Sequence, residues 1–135
     1  MSPAEALGRA LDLLKREQPG YYARMVEALD GLVVQCRVDD LDFTVTGDAT
    51  LVLREQHLDN ADVLATSSHR AILQLIDART TLLGAVLGRG LKVRADIGLM
   101  VRLSQAQRAF AEGAARTRNM RDVLDAYRRE GAPVV

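Results

Sequence analysis

The sequence has no tryptophan, one cysteine and only two phenylalanines among its 135 residues. The lone Cys36 excludes an internal disulfide, and the shortage of aromatic residues means that any core is built mainly from aliphatic side chains. No apolar run approaches the roughly 18 residues that a membrane-spanning helix needs. The amphipathic N-terminus lacks the features of a secretory signal peptide, so we expect a cytoplasmic protein without a transmembrane segment.

Histidine is almost as scarce, since His57 and His69 are the only two. A metal site needs several converging ligands, and His57, Asp59 and Asp62 fall in a polar turn where solvated side chains are the more frequent explanation. We therefore expect neither a metal ion nor a cofactor. Cys36 falls on the apolar side of a strand, which favours a buried, unreactive thiol over a nucleophile.

The glycines of "LLGAVLGRGLKVRAD", Gly84, Gly88 and Gly90, have the spacing of a phosphate-binding loop but the wrong surroundings. Such a loop connects a strand to the helix that follows it, whereas the pattern here runs helix, glycines, strand. The glycines are then expected to end a helix. Because no acid–base constellation stands out elsewhere, the sequence predicts neither a nucleotide site nor an enzyme.

The net charge is zero, but the charges are unevenly distributed. Residues 1–62 carry 6 basic and 12 acidic side chains, and residues 63–135 carry 12 and 6. Two halves of one domain that complement each other explain this asymmetry, and contact with an anionic surface is the alternative. The C-terminal arginines lie among acidic residues with few aromatics, which favours a solvated helix over a nucleic-acid site. They are Arg116, Arg118, Arg121, Arg128 and Arg129.

The first half of the sequence predicts two helices and a β-meander. Ser2-Pro3-Ala4-Glu5 is a capping box, so a helix should begin there and run to about Glu17. A second, short helix precedes Asp30-Gly31. Three alternating runs, "LVVQCRV", "LDFTVTG" and "ATLVLRE", then predict antiparallel strands with one apolar face. Gly47-Asp48 is expected to form a type II′ hairpin turn, and Asp39-Asp40 the turn before it.

The second half predicts two strands and more helices. "ADVLATSS" contains a strand over residues 62–66, and Ser67 or Ser68 is expected to cap the helix "HRAILQLIDA". A short helix follows in "TTLLGAVLGRG", then a strand in "LKVRA". "IGLMVRLSQAQRAFAEGAAR" predicts a long amphipathic helix that Gly113 weakens, and "NMRDVLDAYRR" a last helix or its continuation.

This order of elements resembles the sterol carrier protein 2 (SCP2) family. "ADVLATSSHRAIL" is similar to the family's strand that runs through Ser/Thr into a helix. "LLGAVLGRGLKVRADIGLMVRL" is similar to its apolar helix, glycine, Lys-containing strand, Asp and amphipathic helix. The resemblance covers about Tyr21 to Phe110. The chain departs from the family in having Ala95 before Asp96, where glycine is frequent, and in lacking a tryptophan in the meander.

The resemblance implies one SCP2-like α/β (α+β) domain over residues 1–135, with residues 1–18 and 117–135 as helical extensions. Its sheet would have five mostly antiparallel strands covered on one side by helices. A hydrophobic tunnel between sheet and helices would bind a sterol, a fatty acyl chain or a bacterial-type lipid such as an isoprenoid. The expected lining is Phe43, Val45, Leu51, Leu53, Ile72, Ile76, Leu83, Leu87, Met100, Leu103 and Phe110.

We therefore expect a non-enzymatic lipid-binding protein, whose partners are a hydrophobic small molecule and, transiently, a membrane surface, but no nucleic acid. The alternative is a protein-interaction or homodimerisation scaffold with a packed core, accessory to a lipid or quinone pathway enzyme. An apolar face left over on the helix from Asn119 to Arg129 would serve that role. An enzyme is the third hypothesis, and it would need a group with a perturbed pKa in the cavity.

Overall fold

The computed structural model describes residues 1–76 and 91–130. Within these ranges, five helices and five strands form an α+β fold, which confirms the predicted class. The helices are α1 (Pro3–Glu17), α2 (Pro19–Ala28), α3 (His69–Ile76), α4 (Ile97–Ala115) and α5 (Met120–Glu130). The strands are β1 (Val33–Val38), β2 (Leu41–Asp48), β3 (Thr50–Arg54), β4 (Val63–Ser67) and β5 (Leu91–Arg94). The helix predicted in "TTLLGAVLGRG", with its three glycines, lies outside the described residues.

The strands form one sheet in the order β3-β2-β1-β4-β5. Three of its four pairings are antiparallel, and β1 pairs with β4 in parallel. The predicted mostly antiparallel sheet is therefore confirmed. The parallel pair arises because the chain crosses from the meander to the other side of β1 before it enters β4.

The first two helices begin and end where their sequence signals indicate. The Oγ atom of Ser2 accepts a hydrogen bond from the backbone N–H of Glu5 at 3.1 Å, and Pro3 occupies the first turn of α1. This cap satisfies one of the N–H groups that have no partner within the helix. Gln18 ends α1, and α2 starts at once from Pro19.

The β2–β3 hairpin turns at a different residue from the one predicted. Asp48 pairs with Thr50, so Ala49 forms the tip and adopts the positive φ of 50°. Gly47 lies within β2, where a Cβ atom would collide with the carbonyl oxygen of Leu29. The predicted type II′ turn at Gly47-Asp48 is therefore wrong, because Gly47 permits a close backbone approach rather than supplying the turn.

The β1–β2 turn at Asp39-Asp40 is confirmed, and it also contacts the start of α3. Asp39 has a φ of 54°, and its Oδ2 atom accepts a hydrogen bond from the backbone N–H of His69 at 3.2 Å. Ser68 caps α3, since its Oγ atom accepts from the N–H of Ala71 at 3.1 Å. The C-terminal end of β1 is thus joined to the N-terminus of α3.

The helices cover the predicted apolar face of the sheet. Val34 and Val38 of β1 and Phe43 and Val45 of β2 are buried there together with Ala106 of α4. The opposite face is also covered at its centre, which the alternating pattern does not predict. Gln35 is only 1 % exposed, because the segment after β3 lies over it.

Hydrogen bonds hold that segment in place. The backbone N–H of Leu58 donates to Oε1 of Gln35 at 2.7 Å, and Nε2 of Gln35 donates to the carbonyl oxygen of Gln56 at 3.2 Å. Nε2 of Gln56 in turn donates to Oγ1 of the buried Thr44 at 3.1 Å. The buried side chains of Gln35 and Thr44 therefore have hydrogen-bond partners, which keeps the free-energy cost of burying them low.

A second apolar cluster joins the helices to each other. It contains Ala10, Leu11, Leu13, Leu14, Tyr22, Met25, Ala109 and Met120. Met120 belongs to this cluster, so α5 packs on the helices that form it and contacts α1. The chain breaks between α4 and α5 rather than continuing as one helix. None of the helices in the described ranges is long and apolar enough to cross a bilayer.

Candidate functional site

An open-sided cavity of about 1190 Å³ lies between α1, α4 and α5 and reaches the strand ends at Val38 and Phe43. This volume exceeds the roughly 300–1,000 Å³ that is usual for small-molecule sites. Its described apolar wall comprises Pro3, Ala6, Leu7, Ala10, Val38, Phe43, Ile72, Phe110, Ala111, Ala114, Ala115, Met120 and Leu124. The cavity can therefore accommodate a ligand with a long aliphatic part.

Small side chains on two facing helices create this space. Ala6 and Ala10 are four residues apart on α1, and Ala111 and Ala115 are four apart on α4, so each pair lies on one side of its helix. All four contact the cavity. Larger side chains at these positions would fill the volume between the helices, so the alanines leave room there.

Helix α5 forms the third wall. Met120, Leu124 and Tyr127 recur at the spacing of one helical face, and all three contact the cavity. Met120 and Tyr127 are each only 1 % exposed. The sequence predicts that this apolar face of α5 is free to contact a partner. That prediction is wrong, because the face packs against the rest of the chain.

Two polar side chains lie buried where α5 meets α3. The rings of His69 and Tyr127 contact each other, and neither the Tyr127 hydroxyl nor the two ring nitrogens of His69 have a hydrogen-bond partner among the described residues. Burial, with a smaller contribution from the Asp39 carboxylate, raises the pKa of Tyr127 to about 12. The phenol is therefore neutral at physiological pH, and this end of the cavity carries no charge from Tyr127.

The charged side chains that contact the cavity are mostly exposed to solvent and so form its rim. Arg116, Arg118, Arg121 and Arg128 all contact the cavity, and Asp125 is the acidic residue among its described lining. Arg128 pairs with Asp125 at 3.4 Å. The cavity thus combines an apolar interior with a positively charged edge.

The structure brings only part of the predicted lining to this cavity. Phe43, Ile72 and Phe110 contact it. Val45, Leu51, Leu53 and Leu103 pack instead in or against the core between sheet and helices, and Met100 is half-buried on α4. Ile76 ends α3, and neither its side chain nor the residues Leu83 and Leu87 are described.

Sequence reasoning missed the walls contributed by α1 and α5. Both helices lie outside the stretch that resembles the SCP2 family, so the family pattern assigns them no role. The alanine pair at positions 6 and 10 was an available signal, because a core-facing stripe built from alanine leaves space that leucine would fill. The sequence also predicts the face formed by Met120, Leu124 and Tyr127, but its pattern does not distinguish a contact with the rest of the chain from a contact with a partner.

The residues of the other two candidate sites, a metal site and a reactive thiol, do not form such a site in the described part of the chain. Nε2 of the exposed His57 lies 2.8 Å from Oδ1 of Asp59, whereas Asp62 accepts a hydrogen bond from the backbone N–H of Val33 at 2.8 Å. No group of three or more metal-ligating side chains occurs within residues 1–76 and 91–130. Burial raises the pKa of the half-buried Cys36 to about 12, so its thiol is protonated at neutral pH.

Fold and cavity together define an α+β domain in which helices cover one face of a sheet and enclose an apolar cavity. Several solved structures share this fold. Sterol carrier protein domain 2 of Helicoverpa armigera matches with a TM-score of 0.60 and 16% identity, covering 83% of this chain and 94% of that one. The UbiJ-SCP2 ubiquinone synthesis protein matches with a TM-score of 0.58 and 17% identity, covering 81% of this chain and 93% of that one. Sterol carrier protein 2 from Yarrowia lipolytica, in its apo form, matches with a TM-score of 0.51 and 11% identity, covering 72% of this chain and 87% of that one.

These likenesses show that the chain has the SCP2-like fold, as its sequence pattern indicated. No protein-family model and no curated relative matches the sequence. The fold is therefore recognised through the arrangement of its elements.

Proposed function

We propose that the protein binds the aliphatic chain of a lipid in the cavity between α1, α4 and α5, and carries or presents it without changing it chemically. The observation that carries this proposal is the apolar cavity of about 1190 Å³ within an SCP2-like fold. Within the predicted lining, we assign the contacts with the lipid chain to Phe43, Ile72 and Phe110. The names of the structural neighbours, sterol carrier proteins and a ubiquinone synthesis protein, support a sterol-like, fatty acyl or isoprenoid ligand.

The energetics of chain burial are sufficient for such binding. Each buried CH₂ group contributes about 0.8 kcal/mol, so a twelve-carbon chain gains roughly 10 kcal/mol before the cost of association. That cost is at least about 4 kcal/mol. The net gain is therefore at most about 6 kcal/mol. It corresponds to a dissociation constant no tighter than about 10 to 100 µM without any polar contact, and longer chains should bind more tightly.

The pKa of Cys36, the single thiol of the sequence, supports binding without catalysis. A nucleophilic cysteine needs a lowered pKa, whereas burial raises the pKa of Cys36 to about 12. Tyr127, which contacts the cavity, likewise keeps its proton because its pKa is raised to about 12. Neither group has the pKa that general acid–base catalysis or nucleophilic attack needs at neutral pH.

Native mass spectrometry tests the proposal, followed by solvent extraction of any bound molecule. We expect the protein either to carry an adduct of lipid mass or to take one up from added fatty acid. Ala111→Trp should reduce this uptake, because the indole would occupy the cavity from an exposed position on α4. Ala23→Trp, on the exposed surface of α2, is the matched control and should not change it. Absence of any uptake, with the protein folded, would contradict the proposal.

A scaffold function has one specific observation in its favour. Ile97 and Val101, four residues apart on α4, are 84% and 51% exposed, and adjacent exposed apolar side chains on one helix face are a typical feature of protein contacts. Ile97→Ser with Val101→Ser would then convert an oligomer to a monomer in light scattering while lipid uptake stays unchanged. A monomeric wild-type protein would count against self-association.

A further inference from the structure

We infer that the cavity selects amphiphiles with an anionic head group, and that the contact with that head is made by Arg118 and Arg121 at the rim. This inference rests on the proposed function, since it requires an aliphatic chain in the same cavity. It concerns the head of the ligand, which the apolar interior alone does not specify.

The rim carries an excess of positive charge that the described protein does not neutralise. Four arginines and one aspartate line the cavity beside its apolar wall. Asp125 is paired with Arg128 at 3.4 Å. Arg118 and Arg121 are exposed and form no hydrogen bond or ion pair with the described residues. The field at the cavity mouth is therefore positive and attracts anions.

The other arginine of the rim is held in place by its neighbours. Nη1 of Arg116 donates a hydrogen bond to the carbonyl oxygen of Glu112 at 2.9 Å, and its guanidinium lies 5.4 Å from the centre of the Tyr21 ring. The carbonyl oxygen of Arg116 accepts a hydrogen bond from Gln18 at 3.0 Å. These contacts fix the turn between α4 and α5, so Arg118 and Arg121, which have no partner among the described residues, extend from an ordered segment.

The distribution of polarity along the cavity gives a ligand one orientation. The walls contributed by α1 and α4 are mostly alanine, leucine and phenylalanine, and a charged head buried among them would lose its hydration without compensation. At the rim, by contrast, the head stays hydrated and meets guanidinium groups, which bind carboxylates and phosphates through paired N–H donors. The chain enters the cavity, and the anion remains at the arginines.

A series of probes with one chain and different heads tests this inference by calorimetry. The probes are dodecanoate, dodecyl phosphate and dodecanol, at concentrations below their aggregation. We expect both anions to bind about five- to tenfold more tightly than dodecanol, because the arginines are exposed and water weakens each contact. This advantage should shrink as salt is raised, since exposed charges are screened. The tighter of the two anions identifies the head that the rim prefers.

The matched variants are Arg118→Gln with Arg121→Gln, and Arg129→Gln as a control on an exposed residue of α5 that does not line the cavity. The double variant should bind dodecanoate as weakly as dodecanol, while Arg129→Gln binds like the wild type. Both substitutions replace exposed side chains, and circular dichroism checks the fold. The salt dependence of the wild type tests the electrostatic contribution without any variant, and the variants assign it to Arg118 and Arg121.

Three results would overturn the inference. Equal affinity for dodecanol and the anions would refute selection by the head and leave the lipid-binding proposal intact. Binding of none of the probes would refute both. Binding of vesicles with anionic lipid that is lost in the double variant, while its affinity for dodecanoate stays at the wild-type level, would assign the arginines to a membrane surface instead.

Discussion

The ring of Tyr127 stands edge-on to the ring of His69, with their centroids 4.8 Å apart and their planes at 62°. This contact joins α5 to the first residue of α3, whose backbone N–H is bound by the Asp39 carboxylate at 3.2 Å. The C-terminal helix, the β1–β2 turn and α3 therefore meet at one point beside the cavity. An aromatic pair of this geometry is worth about 0.5–1.5 kcal/mol beyond its area burial.

The hydroxyl of Tyr127 contributes nothing favourable at that point, because it is buried without a hydrogen-bond partner among the described residues. Tyr127→Phe should therefore leave the free energy of unfolding unchanged or raise it by about 1 kcal/mol. Urea denaturation measures the difference. Tyr127→Ala, which also removes the ring, should lower it by about 3–5 kcal/mol. A loss above about 1 kcal/mol in Tyr127→Phe would mean that the hydroxyl is bonded in solution.

Alkaline pH should destabilise the protein through the same residue. The pKa of Tyr127 is raised from 10.0 to about 12 in the folded state. The unfolded chain thus loses this proton first as pH rises, so the stability conferred by the neutral phenol is present below pH 10 and is lost towards pH 12. We expect denaturation midpoints to fall less steeply in Tyr127→Phe than in the wild type across this interval. Parallel curves for the two proteins would contradict the assignment.

Cys36 should react slowly with thiol reagents. Burial raises the pKa of its thiol from 9.0 to about 12, and the thiolate is the reactive species. In the native protein at about pH 8, alkylation should be at least about tenfold slower than in a denatured sample, since both access and thiolate fraction are reduced. Mass spectrometry follows the reaction over time. Equal rates in the two samples would show that the strand face is open.

Gly113 should resist substitution although it lies inside a helix. A Cβ atom there would come within 2.5 Å of Cδ1 of Leu14 and 2.9 Å of Cβ of Tyr21. The steric cost should exceed the gain of about 1 kcal/mol in helix propensity, so Gly113→Ala lowers the melting temperature. Gly20 is the matched control, because a Cβ on this α2 residue meets nothing within 4 Å. Gly20→Ala should be neutral or stabilising, and a stabilised Gly113→Ala would contradict the tight packing of Gly113 against Leu14 and Tyr21.

Local signals in the sequence were sufficient for most of the fold. Capping at Ser2, the three strands of the meander and the turn at Asp39 each depend on neighbouring residues, and each is found as expected. The hairpin tip was predicted wrongly because the role of Gly47 is set by Leu29, which lies far from it in sequence. A glycine pattern does not distinguish a turn from a close backbone approach.

The cavity was less predictable than the fold, for a physical reason. A residue of a packed core and a residue of a cavity wall are both apolar and have the same periodicity, so Leu103 and Phe110 looked equivalent in the sequence. Only the tertiary arrangement separates them, since Leu103 packs towards the sheet and Phe110 contacts the cavity. The C-terminal arginines around Arg118 are exposed to solvent, as the sequence predicts, but the sequence does not show that four of them also line the cavity.

The most direct test of lipid binding between α1, α4 and α5 is NMR spectroscopy of alanine methyl groups in the presence of dodecanoate. The account predicts contacts between the lipid chain and the methyls of Ala6, Ala10, Ala111 and Ala114, which line the cavity. The methyls of Ala23 and Ala61, which are outside its described lining, should show none. Contacts confined to other alanines, or no contacts at a saturating concentration of lipid, would contradict the account.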